Sequence, residues 1–318
     1  MNINGIDLGA LEHDQPQLTV RDTVPGRVAH IDADFLAYMV SAESAEDIAN
    51  GGKSLPDMKD HADVMMEKFR LGSGAEKVQL HLTPSGSNKG GRYEAAIQKE
   101  YQANRKDPDK KPKYLNVIRA WMHKERGAIM HTECEADDGM SMQQYAAIAE
   151  DNKDKSIIIT KDKDLLMVPG LQLDWDTFEI TDTDDPFGYT ILDDSKKTKK
   201  IKGRGWKFFW AQMLTGDSAD HIQGLPKVYD PKFLPGKPKA CGPVMADEIL
   251  SHMTDQKKAF EITRELYKMV GDNQGFVHWK TGEEVPFGQV FQSEARLLWM
   301  RRNHNLDDAL DWMKETCL

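Results

Sequence analysis

The run Ser156-Ile-Ile-Ile-Thr160, followed at once by Asp162 and Asp164, constrains the fold of this chain more than any other stretch. Three consecutive isoleucines bounded by polar residues read as a short buried strand. Arg27-Val-Ala-His-Ile31 is a second such strand and ends at Asp32. Lys77-Val-Gln-Leu-His-Leu82 alternates as a strand should, and Ala128 to His131 is a shorter one. Helical spacing fills the gaps: a helix beginning near Asp34, His61 to Leu71, Tyr114 to Arg126, and a helix opened by Glu135-Ala-Asp137-Asp138. Leu171 to Trp175 and Thr177 to Ile180 read as short strands. Strands alternating with helices predict an α/β fold with a mainly parallel central sheet flanked by helices. Such sheets place their sites beyond the carboxyl ends of the strands. Asp32, Glu135, Asp162 and Asp164 all fall there.

Those acids, with Asp137, Asp138, Asp217 and Asp220, make eight candidate ligands. Hard divalent cations take all-oxygen sites, and pairs of such ions drive phosphodiester cleavage. Taken singly, an Asp-x-Asp is commonly a solvated turn and an acidic helix start is only a helix start. Together they would repel and take up protons unless a cation compensated them. Asp34 reads as a helix cap. Cys134, Cys241 and Cys317 are too few and too scattered for a disulfide framework or a zinc site, so a reducing cytoplasm is expected. No apolar run approaches bilayer length and the amino terminus lacks a secretory pattern, so no membrane is expected.

The net charge of −10, from 42 basic and 52 acidic residues, argues against nucleic acid if read as an average. The basic residues are unevenly placed, however. Arg92 to Lys113 carries seven of them, with Tyr93 and Tyr101 interleaved, and Lys196 to Lys200 holds four lysines. Beyond that patch the chain reads as mostly helical. Trp206, Trp210 and Trp299 read as core, and His30 and His81 as satisfied core residues.

The motifs, in order, resemble those of the 5′-nuclease (flap endonuclease) superfamily, most of all the 5′→3′ exonucleases of short-tailed phages. Ile31-Asp32-Ala-Asp34 resembles its first-strand motif, and Tyr101-Gln-Ala-Asn-Arg105 its Tyr-Lys-x-Asn-Arg segment. Glu135-Ala-Asp137-Asp138 resembles its Glu-Ala-Asp-Asp, and Thr160-Lys-Asp162-Lys-Asp164 its Asp-x-Asp. Gly216-Asp217-Ser-Ala-Asp220-His-Ile-Gln-Gly-Leu-Pro226 is similar to Gly-Asp-x-x-Asp-Asn-Ile-x-Gly-Val-Pro. The resemblance spans roughly residues 28–250.

It implies a PIN-like catalytic domain over 1–202 and a helical duplex-binding region over 203–318, with a helix–loop–helix at about 214–252. Asp32, Glu135, Asp137 and Asp138 would hold one Mg²⁺ or Mn²⁺ ion. Asp162, Asp164, Asp217 and Asp220 would hold a second, the pair promoting in-line attack by water on a phosphodiester. An arch at about 88–114 would admit a single-stranded 5′ end, with Lys89, Arg92, Arg105, Lys106 and Lys111 on phosphates and Tyr101 on a base. Gly224 and Gly242 would bring backbone amides to duplex phosphates, with K⁺ bound nearby. The implied substrates are DNA 5′ ends, flaps and RNA primers in phage replication, in the host cytoplasm. A replication polymerase or single-strand-binding protein is the implied partner.

The chain departs from the pattern in three places. Thr83-Pro-Ser-Gly86 stands where the family has another aspartate, Gln102 replaces its lysine, and residues 227–241 interrupt the glycine hairpin. A catalytically impaired DNA-structure-binding protein and a PIN-like RNA nuclease are therefore alternatives.

Overall fold

The computed structural model describes residues 2–3, 6–7, 19–105, 111–227 and 240–318. Lys106 and the lysines Lys232, Lys237 and Lys239 lie outside the described residues. The predicted strands assemble into one six-stranded sheet: β1 (Val24–Asp32), β2 (Ala75–Leu82), β3 (Ile129–Met130), β4 (Ser156–Thr160), β5 (Gly170–Asp174) and β6 (Ile180–Thr183). The order is β3-β2-β1-β4-β5-β6, all parallel except β6. In register, His30 lies between Gln79 and Ile158, and Ile31 between Leu80 and Ile159.

The three isoleucines divide between two cores, which is why the run contains no polar residue. Ile157 and Ile159 pack with Ala29, Ile31, Leu80 and Leu82 under helices α1 (Ala33–Ser41), α3 (Leu55–Ser73) and α5 (Leu115–Arg126). A short helix, α2 (Ala45–Ala49), links α1 to α3. Ile158 faces the opposite core with Met140 of α6 (Ala136–Ala149). A strand buried on both faces must read as uninterrupted apolar sequence.

That second core continues into the carboxyl half. Helices α7 (Trp206–Thr215), α8 (Pro243–Leu250), α9 (Gln256–Gln274), α10 (Phe287–Leu298) and α11 (Asp308–Cys317) surround an aromatic stack. Trp299 and Trp312 lie 4.1 Å apart between ring centroids, and Trp210 stacks on Trp312. The buried indole N–H groups of Trp210 and Trp299 donate to Gln256 and Asp308, as buried indoles require. Trp210 and Trp299 are core, as predicted, while Trp206 is half-buried against them.

A hairpin of β7 (Tyr189–Asp193) and β8 (Lys200–Arg204) puts Lys196, Lys197 and Lys199 at its exposed tip. Residue 202, the boundary expected between two regions, lies inside β8. The strand expected at Thr177 to Ile180 forms instead at 180–183, after a turn at 175–177 in which Asp174 Oδ1 accepts the Asp176 and Thr177 N–H groups. Among the described residues no helix is long and apolar enough to cross a membrane.

The strand order places the site. From β1 the chain moves one way to β2 and β3, then returns to build β4 and β5 on the other side. β1 and β4 therefore flank the switch point, where open parallel sheets leave a crevice at their carboxyl ends. Asp32 ends β1, and Asp162 follows β4.

Candidate active site

A cleft of about 930 Å³ opens at this switch point. Asp32, Asp34, Glu135, Asp137, Asp162, Asp164 and Asp217 line it, so four separate segments of the chain deliver carboxylates to one place. Lys89, Arg105, Lys111, Arg119, Lys161 and Lys163 line it too. Seven acids against six bases make the cleft far less acidic than the net charge suggests. Gln102 stands beside them.

Local geometry explains each placement. Asp32 caps α1, its Oδ1 accepting the Phe35 N–H at 2.9 Å. Asp34 is not the cap predicted from sequence: it is the second residue of the first turn and turns to the neighbouring loop. Its Oδ2 accepts the Thr83 N–H at 2.9 Å, and Arg119 Nη2 lies 2.8 Å from its Oδ1. Thr83, standing where the family pattern has an aspartate, uses its hydroxyl to accept the Ala136 N–H at the start of α6. Asp162 caps a 3₁₀ turn, Lys163–Met167, by accepting the Asp164 N–H at 2.9 Å. Asp217 sits just past α7, where paired hydrogen bonds between Asp217 and Ile222 close a tight loop. Gly216, at φ +70°, and Gly224, at φ +65°, pack back to back there, and a Cβ on either would strike the other's segment of backbone.

The electrostatics are those of crowded, buried like charges. Burial, then the charges of Asp34 and Asp162, push the Asp32 carboxyl up to about 7. Burial and the neighbouring Asp32 and Asp162 hold Asp137 well above the ordinary aspartate value. Asp162 is raised as well, chiefly by burial, and Asp164 more so, by burial and by Asp162. Asp217 goes the other way. Burial opposes its charge, but Lys163 and the Ala219 N–H outweigh that and lower it. Among the described residues, no three acidic or histidine side chains close around one point as a ready-made ion cage. The donor set nevertheless fits hard cations: all oxygen, crowded, and partly protonated for want of positive charge.

Several expectations need correction. Asp138 does not face the cleft. It is fully buried, with Arg92 Nη1 and Nη2 on its two oxygens at 2.6 and 2.9 Å and the Glu135 and Arg301 N–H groups adding to them. Burial alone would raise its carboxyl, but Arg92 and Arg301 hold it down at about 2. No oxygen remains for a metal. Arg92 cannot track phosphates, being 1% exposed and bonded also to Glu135 and the Trp299 carbonyl. Tyr101 is buried with its hydroxyl between Glu135 Oε2 (2.9 Å) and Asp220 Oδ2 (3.0 Å), so its ring is not free to stack on a base. Asp220 lies behind the cleft wall, its oxygens met by Arg105, Tyr101 and Gln102. Burial still pushes it up to about 6 against the pull of Arg105.

The helical arch is corrected too. Within the described part of 88–114, only Arg92–Ala95 is α-helical, with 3₁₀ turns at Lys89–Gly91 and Ala103–Arg105. Residues 95–104 are pinned to the carboxyl half through Ser293, Trp279, Gly224 and the Ser218–Asp220 carbonyls. Gly224 is no phosphate contact, because its N–H donates to buried Glu294 at 2.8 Å. Gly242 precedes α8 with no side-chain cap, and Pro243 begins the helix.

Sequence reasoning missed Lys163, whose Nζ lies 2.8 Å from both Asp164 Oδ1 and Asp217 Oδ2. It also missed Tyr38, Tyr93 and Arg119 as cleft residues, the two rings being 45% and 40% exposed. Tyr38 lies four residues after Asp34 on α1, one helical turn along the same face, and that spacing was the available signal.

No protein-family model matches the chain, and no curated protein matches it in sequence. Among solved structures, the bacteriophage T5 flap endonuclease in a pseudo-enzyme–product complex with DNA and metal ions is similar over 91% of this chain and 91% of its own, at 14% identity and a TM-score of 0.46. The T5 5′-exonuclease with bound divalent zinc ions aligns over 91% and 92%, at 16% identity and a TM-score of 0.46. A mutant T5 5′-exonuclease aligns over 91% and 90%, at 14% identity and a TM-score of 0.41. Likeness at this level assigns no chemistry to the chain, which rests on the residues of the cleft.

Proposed function

We propose that the protein is a divalent-metal-dependent 5′-nuclease that hydrolyses phosphodiester bonds in DNA at 5′ ends or flaps. One observation carries this: carboxylates from four segments converge at the sheet's switch point and raise one another's affinity for protons. Asp32, Asp137 and Asp162 would hold a first Mg²⁺ or Mn²⁺, and Asp164 and Asp217 a second, with Glu135 between them. When bound, such ions supply the positive charge that stabilises the attacking and leaving oxygens. The chain's own part is to hold the acids and guide the substrate. Lys89, Arg105, Lys111 and Lys161 offer cations at the cleft wall, and the exposed Tyr38 and Tyr93 offer faces on which bases can stack. The first turn of α8, which follows Gly242 and Pro243 without a side-chain cap, would present backbone N–H groups to a duplex phosphate.

A second reading, a DNA-structure-binding protein with weakened chemistry, is favoured by Gln102, by Thr83, and by the protein cations already seated on Glu135, Asp164 and Asp217. The assay uses 5′-labelled flap, nicked and single-stranded DNA and their RNA counterparts, with Mg²⁺, with Mn²⁺ and with chelator, beside Asp32→Asn. The proposal expects metal-dependent release of 5′ products from DNA, lost in the variant. Flap binding without cleavage under any ion would leave the second reading, and cleavage of RNA alone would replace DNA as substrate.

A further inference from the structure

The cations that meet the site's carboxylates differ in whether they can leave. Arg92 is buried and held on both terminal nitrogens, so it is a fixed part of the core. Lys163 reaches Asp164 and Asp217 at the same 2.8 Å, yet its side chain is 49% exposed. The two aspartates come from different elements, the 3₁₀ turn after β4 and the loop after α7. One ammonium joining two buried carboxylates from separate segments stands where a bridging cation would stand. The Asp162 cap explains how it gets there, because the tight turn brings Lys163 round toward Asp217 instead of leaving it as a strand residue pointing away.

We propose that Lys163 is an exchangeable counter-cation, seated between Asp164 and Asp217, that must withdraw before a divalent ion can bind there. The proposal rests on the metal-dependent reading above. An ammonium and a divalent ion compete for the same oxygens and repel each other, so the two cannot share the seat. The lysine stem is long and flexible, and its exposure allows withdrawal outward by side-chain rotation alone. Ion uptake is therefore unequal. At Asp32, Asp137 and Asp162 no ion pair among the described residues has to break, whereas at Asp164 and Asp217 one does.

The test uses Mn²⁺ alone with the full-length protein, by titration calorimetry on wild type and Lys163→Met. Lysine acetylation of the wild type is followed by mass spectrometry with and without Mn²⁺. The expected result is one tight and one weaker ion in the wild type. In Lys163→Met the weaker ion should bind about tenfold more tightly, the factor expected if the open state is populated about a tenth of the time. Acetylation of Lys163 in the wild type should rise when Mn²⁺ is added. A merely structural lysine would not increase ion affinity on removal. Identical Mn²⁺ binding by both proteins overturns the role of Lys163 and leaves the metal-dependent reading standing. Absence of Mn²⁺ binding by either overturns both. If Lys163→Met does not fold, unchanged acetylation of Lys163 on adding Mn²⁺ overturns the proposal by itself.

Discussion

The site's two carboxylate groups solve the same electrostatic problem in opposite ways. On the β1–β4 side, Asp32, Asp137 and Asp162 have no ion pair among the described residues, and their repulsion shows as raised proton affinity. Glu135, Asp164, Asp217 and Asp220, by contrast, each have a protein cation. Lys89 and Arg92 serve Glu135, Lys163 serves Asp164 and Asp217, and Arg105 serves Asp220. The first group is frustrated without an external cation, while the second is met by protein cations, with burial still raising Asp164 and Asp220. A buried charge that lacks a partner takes up a proton or a metal, so the unpaired side is where an ion has most to contribute.

The largest expected effect breaks the paired side. Arg92→Met leaves Asp138 buried and without its main partner, which should cost about 3–5 kcal/mol of folding stability in urea denaturation. A loss under about 1 kcal/mol would mean that Asp138 does not depend on Arg92.

The next effect is a dependence on pH with one sign for Asp32 and Asp220 and the opposite sign for Asp138. Asp32 rises from an ordinary 3.8 to about 7 on folding. It therefore binds more protons when folded, and its contribution is complete below about pH 4 and lost as the pH rises to about 7. Asp220, raised to about 6, acts in the same sense. Asp138, lowered to about 2, contributes above about pH 4 and loses that as the pH falls to about 2. Ion-free protein should thus lose stability between about pH 4 and 7, on the order of 7 kcal/mol in total. Saturating Mn²⁺ should flatten the slope. A flat ion-free profile would remove the frustration argued for Asp32.

The smallest effect sharpens the assignment of surface cations. Arg105→Ala should weaken binding to single-stranded DNA and lower the salt dependence by about one phosphate contact. An unchanged salt slope would restrict Arg105 to its pair with Asp220.

Asp32, Asp162 and Asp164 were legible in the sequence because an acid that ends a buried strand of a parallel sheet has only one place to go. The buried strand was legible from the isoleucine run and part of the aromatic core from the tryptophans; that the isoleucines divide between two cores was not. Asp138 and Arg92 were misjudged because a motif does not say which of two adjacent acids faces inward. On α6, Asp137 turns to the cleft while Asp138 turns to Arg92 and Arg301. Tyr101 was misjudged because its basic neighbourhood resembles a nucleic-acid segment, while the chain packs it beneath Glu135. Lys163 escaped notice between two aspartates, since only the 3₁₀ turn brings it to Asp217. The β7–β8 hairpin escaped because its lysine-rich tip has the composition of a linker.

The central claim is that the unpaired side holds the first ion. The most direct measurement compares the melting temperature of wild type and Asp137→Asn at pH 7.5, each with chelator and with Mn²⁺. Removing one of the repelling charges should raise the ion-free melting temperature of the variant, while Mn²⁺ should stabilise the wild type and leave the variant nearly unmoved. Equal stabilisation of both proteins by Mn²⁺, together with a lower ion-free melting temperature in Asp137→Asn, would contradict it.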